Sequence, residues 1–227
     1  IAFSFTNYDG WKTIDFVGLT NYITLFKDSK FYLSLGRTLL YTVCTLPFRV
    51  IIPLLVAVLL CSKRVAGKSL TRTMVYIPVL MSSLVVGITI NWMFSQEYGL
   101  VNFIIRSLGG TALEWSLNPR LATFVIAFAS VWASIGFNMI LYIGGINSIS
   151  NDLYEAATID GASGVQAFFR ITVPMLAPTT FMVVLLSTVN LLKEYALVQG
   201  ITQGGPGLST TYIIQYIFDK GFNQMEY

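Results

Sequence analysis

Histidine is absent from the 227 residues, and charge is scarce: Asp, Glu, Lys and Arg make up 11% of the chain against 55% hydrophobic residues. Without histidine there is no Ser/His/Asp or Cys/His arrangement and no His-containing zinc or copper site. No phosphate-cradling G-x-x-x-x-G-K-[ST] loop and no G-x-G-x-x-G occurs. The net charge of +3 comes without a basic run or basic–aromatic interleaving, so nucleic acid is not an expected partner. Cys44 and Cys61 fall in one apolar stretch, roughly 25 Å apart along a helix and too far for a disulfide. A soluble domain carries about a quarter charged residues. This chain cannot cover its surface with polar groups and must face lipid.

What is present is apolar length. Four stretches, Thr38 to Cys61, Thr73 to Phe94, Leu121 to Ile146 and Met175 to Leu192, each approach the roughly 20 residues of a membrane helix. Pro47, Pro53, Pro78 and Pro178 inside them are tolerable in lipid, where neighbouring helices take up the freed carbonyls. The expected fold is an all-α membrane protein, a polytopic helical bundle with four complete spans. Both ends read as cut, Ile1-Ala2-Phe3-Ser4-Phe5 resembling the last turn of a span and Met225-Glu226-Tyr227 closing nothing. One further span is expected at each end.

Orientation follows from basic residues. The loop from Ser62 to Arg72 holds Lys63, Arg64, Lys68 and Arg72 and no acid, which places it in the cytoplasm. Residues up to about 35, 95–120 and the tail after 198 are then outside, and 147–174 inside. Trp92, Phe94 and Tyr98 suit an interface belt. Leu100 to Ile105 reads as a short interfacial helix on the outer side, and Tyr212 to Phe218 as another outer piece. Ala129/Ala133 and Ser130/Ser134 recur at four-residue spacing, enough for close helix contact.

The inner segment 150–174 spells helix, turn, helix. Asp152 with Glu155 makes a plausible start, and Gly161 can take the left-handed conformation that closes the first helix. Ser163 with Gln166 forms a capping box for the second, whose Val165, Phe168, Phe169 and Thr172 share a stripe. Pro174 and Pro178 return the chain to the membrane. Ala156, Ala157, Gly161, Ala162 and Gly164 let another backbone approach, while Glu155 and Asp160 offer anionic groups. The alternative is a tidy loop that only caps two membrane helices.

Glu155-Ala156-Ala157, three residues, Gly161, nine residues, Ile171, one residue, then Val173-Pro174 resembles the EAA loop of ABC importer permeases, with Val173 where Leu is usual. Asp160-Gly161-Ala162, Phe168 and Pro174 look like the branch that handles sugars and glycerol phosphates. So do Val17-Gly18-Leu19-Thr20-Asn21-Tyr22 with Leu25-Phe26, Tyr76-Ile77-Pro78 and Thr202-Gln203-Gly204-Gly205-Pro206. The resemblance implies that residues 1–34 are the end of a span and an external segment, and 35–227 a type I transmembrane domain cut before its last span. It implies that Glu155, Ala156, Ala157, Asp160, Gly161, Ala162, Ser163 and Gly164 form a coupling loop. The loop would dock on a dimer of cytosolic ATP-binding subunits, which hold ATP and Mg. No cofactor is expected on this chain, and no enzymatic activity of its own. Further expected partners are a second related permease, an extracytoplasmic solute-binding protein, membrane lipid and a sugar or oligosaccharide. The setting implied is a bacterial or archaeal inner membrane.

Arg49 lies halfway along its stretch, where a basic residue costs roughly 2.5–3.5 kcal/mol on insertion scales. With Asn190, Lys193, Glu194 and Tyr195 it can line a substrate path; alternatively Arg49 pairs with Glu194 for structure and Lys193 snorkels to the interface. Many relatives show an Asp where this chain has Ala196. Asn91 and Asn138 suit hydrogen bonds between helices. Other classes are a permease for glycerol phosphate or another polar solute, a secondary transporter or channel, which needs intramembrane acids and often shows repeats, and a non-transporting scaffold.

Overall fold

The computed structural model describes residues 2–7, 15–62 and 67–223. Lys63 and Arg64 of the basic loop, Ile1, and Met225, Glu226 and Tyr227 lie outside the described residues. Apart from one antiparallel bridge, Thr6 to Phe16, every regular element among them is helical.

Ala2–Phe5 is a single 3₁₀ turn, followed by α1 (Thr20–Lys27). Helix α2 (Ser29–Cys61) starts nine residues before its apolar stretch because Asp28 caps it, its carboxylate accepting the Lys30 N–H at 2.8 Å. Pro47 and Pro53 both sit inside it without ending it. Helix α6 (Pro119–Asn147) has the reverse economy: Asn118 caps Arg120 and Leu121 while Pro119 takes the first turn, where its missing N–H is harmless. These two helices are long and apolar enough to cross a membrane unaided.

The other two stretches are bent. Helix α3 (Lys68–Tyr76) runs into a 3₁₀ turn, Ile77–Leu80, and α4 (Ser83–Met93) leaves it at 102°. Pro78 opens that turn and Ser82 is extended, so Thr73 to Phe94 is not one rod. The fourth stretch follows the same plan. A 66° bend separates the segment Gly164–Met175 from α10 (Ala177–Leu192). Among the described residues, the helices long and apolar enough to cross number up to four if each bent pair is one span.

Two apolar clusters stack along the bundle. One gathers Ala57, Leu60, Met139, Tyr142, Leu176 and Val183 near the end where α2 and α6 finish and α10 begins. The other gathers Tyr41, Ile90, Phe94, Trp115, Ile126, Leu191 and Val198 towards the opposite end. Beyond the fourth apolar stretch the chain stays packed on the bundle. Helix α11 (Ala196–Ile201) packs into the second cluster, with Leu197, Val198 and Ile201 buried. Likewise α12 (Ile213–Phe218) is preceded by a fully buried Tyr212 stacked on Tyr41, ring centroids 4.6 Å apart.

At that same end, α5 (Leu100–Ser107) is the expected short helix. Phe103 and Leu100 face outward while Asn102 is fully buried. Its amide ties together the Gln96 and Leu113 carbonyls, the Leu113 N–H and the Trp115 indole N–H, at 3.0–3.1 Å.

Candidate functional site

Residues 150–172 form a projecting hairpin whose geometry is fixed by local chemistry. Helix α7 (Asn151–Ile159) begins one residue before Asp152, because the cap is the Ser150 hydroxyl, which accepts the Asp152 N–H at 3.2 Å. The expected Asp152 start is therefore displaced by a better cap. At the other end Gly161 has φ +75°. The Gly161 N–H reaches the Thr158 carbonyl and the Ala162 N–H the Ala157 carbonyl, at 3.1 and 2.9 Å, the double bond of a Schellman turn. The capping box forms as its sequence predicts: Gln166 N–H donates to Ser163 Oγ at 3.3 Å and Ser163 N–H to Gln166 Oε1 at 2.8 Å.

Helix α8 (Gly164–Ala167) continues through a π-turn, Phe168–Thr172, into the short α9 (Val173–Met175). That turn breaks the expected apolar stripe. Thr172 is buried and Phe168 half-buried, but Val165 and Phe169 stay 68% and 65% exposed. Ile159 at the tip is 86% exposed. Tyr154 fastens the hairpin to the bundle through its hydroxyl and Thr172 Oγ1, 2.9 Å apart, and Ile171 packs on the first apolar cluster. A hollow of about 350 Å³ lies between the two arms, lined by Ala157, Asp160, Gly161, Ala162, Gln166 and Arg170. Glu155, Ala156, Asp160, Gly161, Ser163 and Gly164 are exposed, Ala157 and Ala162 half-buried. The eight residues form one hydrogen-bonded knuckle with Glu155, Ala156 and Asp160 exposed, and a Cβ on Gly161 or Gly164 would meet nothing.

A polar layer lies between the two apolar clusters. Arg49 is buried and donates from Nη2 to the Ser130 carbonyl at 3.1 Å. Its own carbonyl accepts from Asn138 Nδ2 at 2.9 Å, and the same amide reaches Ser187 Oγ at 3.2 Å, so one residue joins α2, α6 and α10. Glu194 stands half-buried in the break between α10 and α11, against the backbone amides of Tyr195 and Leu197. It makes no hydrogen bond to Arg49, whose Nε is without a partner. Asn190 and Lys193 are exposed and Tyr195 half-buried. The five residues named from sequence thus divide: Arg49 belongs to the interior, while Asn190 and Lys193 face outward. Asn138 does join helices, whereas Asn91 is exposed on α4 and makes no such bond within the described residues.

The closest helix contacts escaped the small-residue pattern. Ala129 and Ser130 are buried, but Ala133 and Ser134 are only half-buried. A Cβ on Gly136 would sit 2.7 Å from the Val75 carbonyl, and one on Gly145 2.7 Å from Leu176. Isolated glycines carry no spacing signal. The loop 202–212 is tied internally, Thr202 and Thr210 hydroxyls 2.8 Å apart and Thr210 Oγ1 donating to the Gly205 carbonyl at 2.7 Å.

The family of binding-protein-dependent transport system inner membrane components matches residues 22–225. The chain belongs to this family. The permease is 34% identical to the Arabinooligosaccharides transport system permease protein AraP of Bacillus subtilis (strain 168), over 94% of this chain and 69% of that one. It is also 34% identical to the Trehalose/maltose transport system permease protein MalF of Thermococcus litoralis (strain ATCC 51850 / DSM 5473 / JCM 8560 / NS-C), over 90% of this chain and 69% of that one. A chain of the crystal structure of a bacterial alginate ABC transporter in complex with alginate pentasaccharide-bound periplasmic protein superposes with a TM-score of 0.81. That match has 25% identity and covers 92% of this chain and 73% of the other. The resemblance read from residues 155–174 is borne out: this permease is an all-helical, membrane-embedded ABC importer subunit.

Proposed function

We propose that this permease imports a sugar or oligosaccharide and that its 150–164 hairpin is the contact through which a partner ATPase dimer drives it. One observation carries the coupling: the Schellman turn and the capping box hold exposed Ile159, Gly161, Gly164 and Val165 rigidly away from the bundle. A rigid knuckle transmits displacement, and a floppy loop does not. Tyr154 bonded to Thr172 and Ile171 packed on the bundle would pass that displacement into α9 and α10. The cargo class rests on the arabinooligosaccharide, trehalose/maltose and alginate systems of the similar proteins. ATP and Mg belong to the partner on this reading. A second permease completes the path and an extracytoplasmic binding protein delivers the cargo.

Loops 62–72 and 147–174 face the cytoplasm on this reading, and the exposed Asn190 and Lys193 face the path. The test is uptake by the assembled complex in proteoliposomes, with a panel of radiolabelled saccharides and sn-glycerol-3-phosphate. Saccharide uptake dependent on ATP and binding protein is expected; uptake of the phosphate ester alone would overturn the cargo class. A Ser163→Cys variant should resist a membrane-impermeant maleimide in intact cells and react after lysis. The reverse order would overturn the orientation.

A further inference from the structure

A cavity of about 750 Å³ runs between α2 and α6, bounded on α2 from Arg37 to Ile52 and on α6 from Pro119 to Val131. At 1.5 Å per residue its length is roughly 20 Å. Its walls are hydrocarbon and aromatic, chiefly Leu40, Phe48, Ile52, Phe124, Phe128 and Val131. Charge enters at one end only. Arg37 and Arg120 line the mouth there, at the level where α6 starts. Arg37 donates one N–H to the Leu208 carbonyl, leaving most of its five donors for another acceptor. The Arg120 side chain is exposed and makes no hydrogen bond within the described residues.

We propose that this slot binds one anionic phospholipid, its phosphate between Arg37 and Arg120 and an acyl chain against Phe48, Phe124 and Phe128. The long, mostly apolar body suits a hydrocarbon chain; Thr45, Thr123 and Ser209 also line it, but they are few against the many hydroxyls of a sugar, each of which costs free energy if buried unpaired. Guanidinium groups bind phosphate through charge-assisted bonds. A protein helix seated in the slot would have to bring its own acid to the level of two arginines. An anionic lipid carries that charge at the headgroup, above its own chain.

Native mass spectrometry of the assembled complex, exchanged between phosphatidylglycerol and phosphatidylcholine nanodiscs, tests the site. About one phosphatidylglycerol per copy is expected to survive delipidation, with no phosphatidylcholine. An Arg37→Gln/Arg120→Gln variant should lower retention at least tenfold. Arg120→Gln alone disturbs no bond within the chain, keeps the fold readable and should lower it at least threefold. Equal retention of both lipids, or retention unchanged in the variants, overturns the proposal. Cys44 lines the slot and is exposed, so with Cys61→Ser it accepts a fluorophore. Quenching of that label by phosphatidylglycerol with brominated acyl chains is expected. Shielding of the label by a protein segment would overturn the site.

Discussion

Gly87 and Gly200 cross backbone to backbone: a Cβ on Gly200 would stand 2.9 Å from Gly87 Cα and 2.8 Å from the Leu84 carbonyl. This contact seats α11 on α4 and closes the second apolar cluster, where Val86, Ile90, Leu197 and Val198 are all buried. Neither backbone can yield without opening that cluster. Gly200→Ala and Gly87→Ala should each destabilise by about 1–3 kcal/mol, the range for overpacked interiors. The thermal unfolding midpoint of the purified complex reads this directly. Gly36→Ala on α2, where a Cβ meets nothing, should not lower the midpoint and should raise it slightly, since Ala favours a helix interior over Gly by about 0.5–1 kcal/mol.

The hairpin offers a cleaner separation of fold from coupling. Gly161 needs φ +75°, so any side chain there strains the Schellman turn by roughly 1–2 kcal/mol whatever it touches. Gly164 has no such requirement and open space at its Cβ. Gly164→Leu should therefore leave the thermal midpoint unchanged while lowering substrate-stimulated ATPase and uptake at least tenfold. Normal uptake in that variant would show that no partner approaches the knuckle.

Among the described residues, Asn138 is the single side chain bonded to both α2 and α10. Hydrogen bonds between membrane helices average about 0.6 kcal/mol and reach roughly 1.7. Asn138→Leu should lose about 1–2 kcal/mol, since it also strands the Arg49 carbonyl. Ser187→Ala should lose less, because the stronger bond to Arg49 survives. A double-mutant cycle on the unfolding midpoint should return a coupling of about 0.5 kcal/mol between Asn138 and Ser187.

Much of this was legible from sequence for physical reasons. Twenty-residue apolar runs, a glycine at a helix C-terminus and Ser-x-x-Gln before a helix are local signals, and the lipid-facing class, Gly161 and the Ser163 cap came out as read. The bends were not legible, because Pro78 can sit in a continuous helix, as Pro47 and Pro53 do, or break one. Which outcome occurs depends on packing across the chain, here α3 against Gly136. For the same reason the burial of α11 was not legible: it is made by Gly87, more than a hundred residues away, and no local pattern announces that.

Asp28 joins the start of α2 to α12 through the Tyr216 hydroxyl, which donates to Oδ2 at 2.7 Å. That bond, and then the Lys30 N–H, hold the Asp28 carboxyl below the usual carboxylate range. The folded pKa is depressed, so the contribution is present above the unfolded value near 3.9 and is lost as pH falls through the folded one. Solvent exposure keeps it small. Tyr216→Phe should lower the midpoint by a constant amount from pH 5 to 7, and the difference should shrink below pH 4. A gap that widens with acid would contradict the assignment.

Arg49 and Asn190 separate structure from path. Arg49 is buried and bridges to the Ser130 carbonyl between the two apolar clusters, so Arg49→Met should lower the amount of assembled complex and its unfolding midpoint together. Asn190 is exposed on α10 and its side chain makes no hydrogen bond within the described residues. Asn190→Ala should keep the midpoint within about 0.5 kcal/mol of the parent, as surface substitutions do, while raising the KM for uptake several-fold at unchanged ATPase coupling. Should Arg49→Met assemble normally and change only KM, the roles are reversed: the guanidinium faces cargo, and the polar layer is part of the path instead of its support.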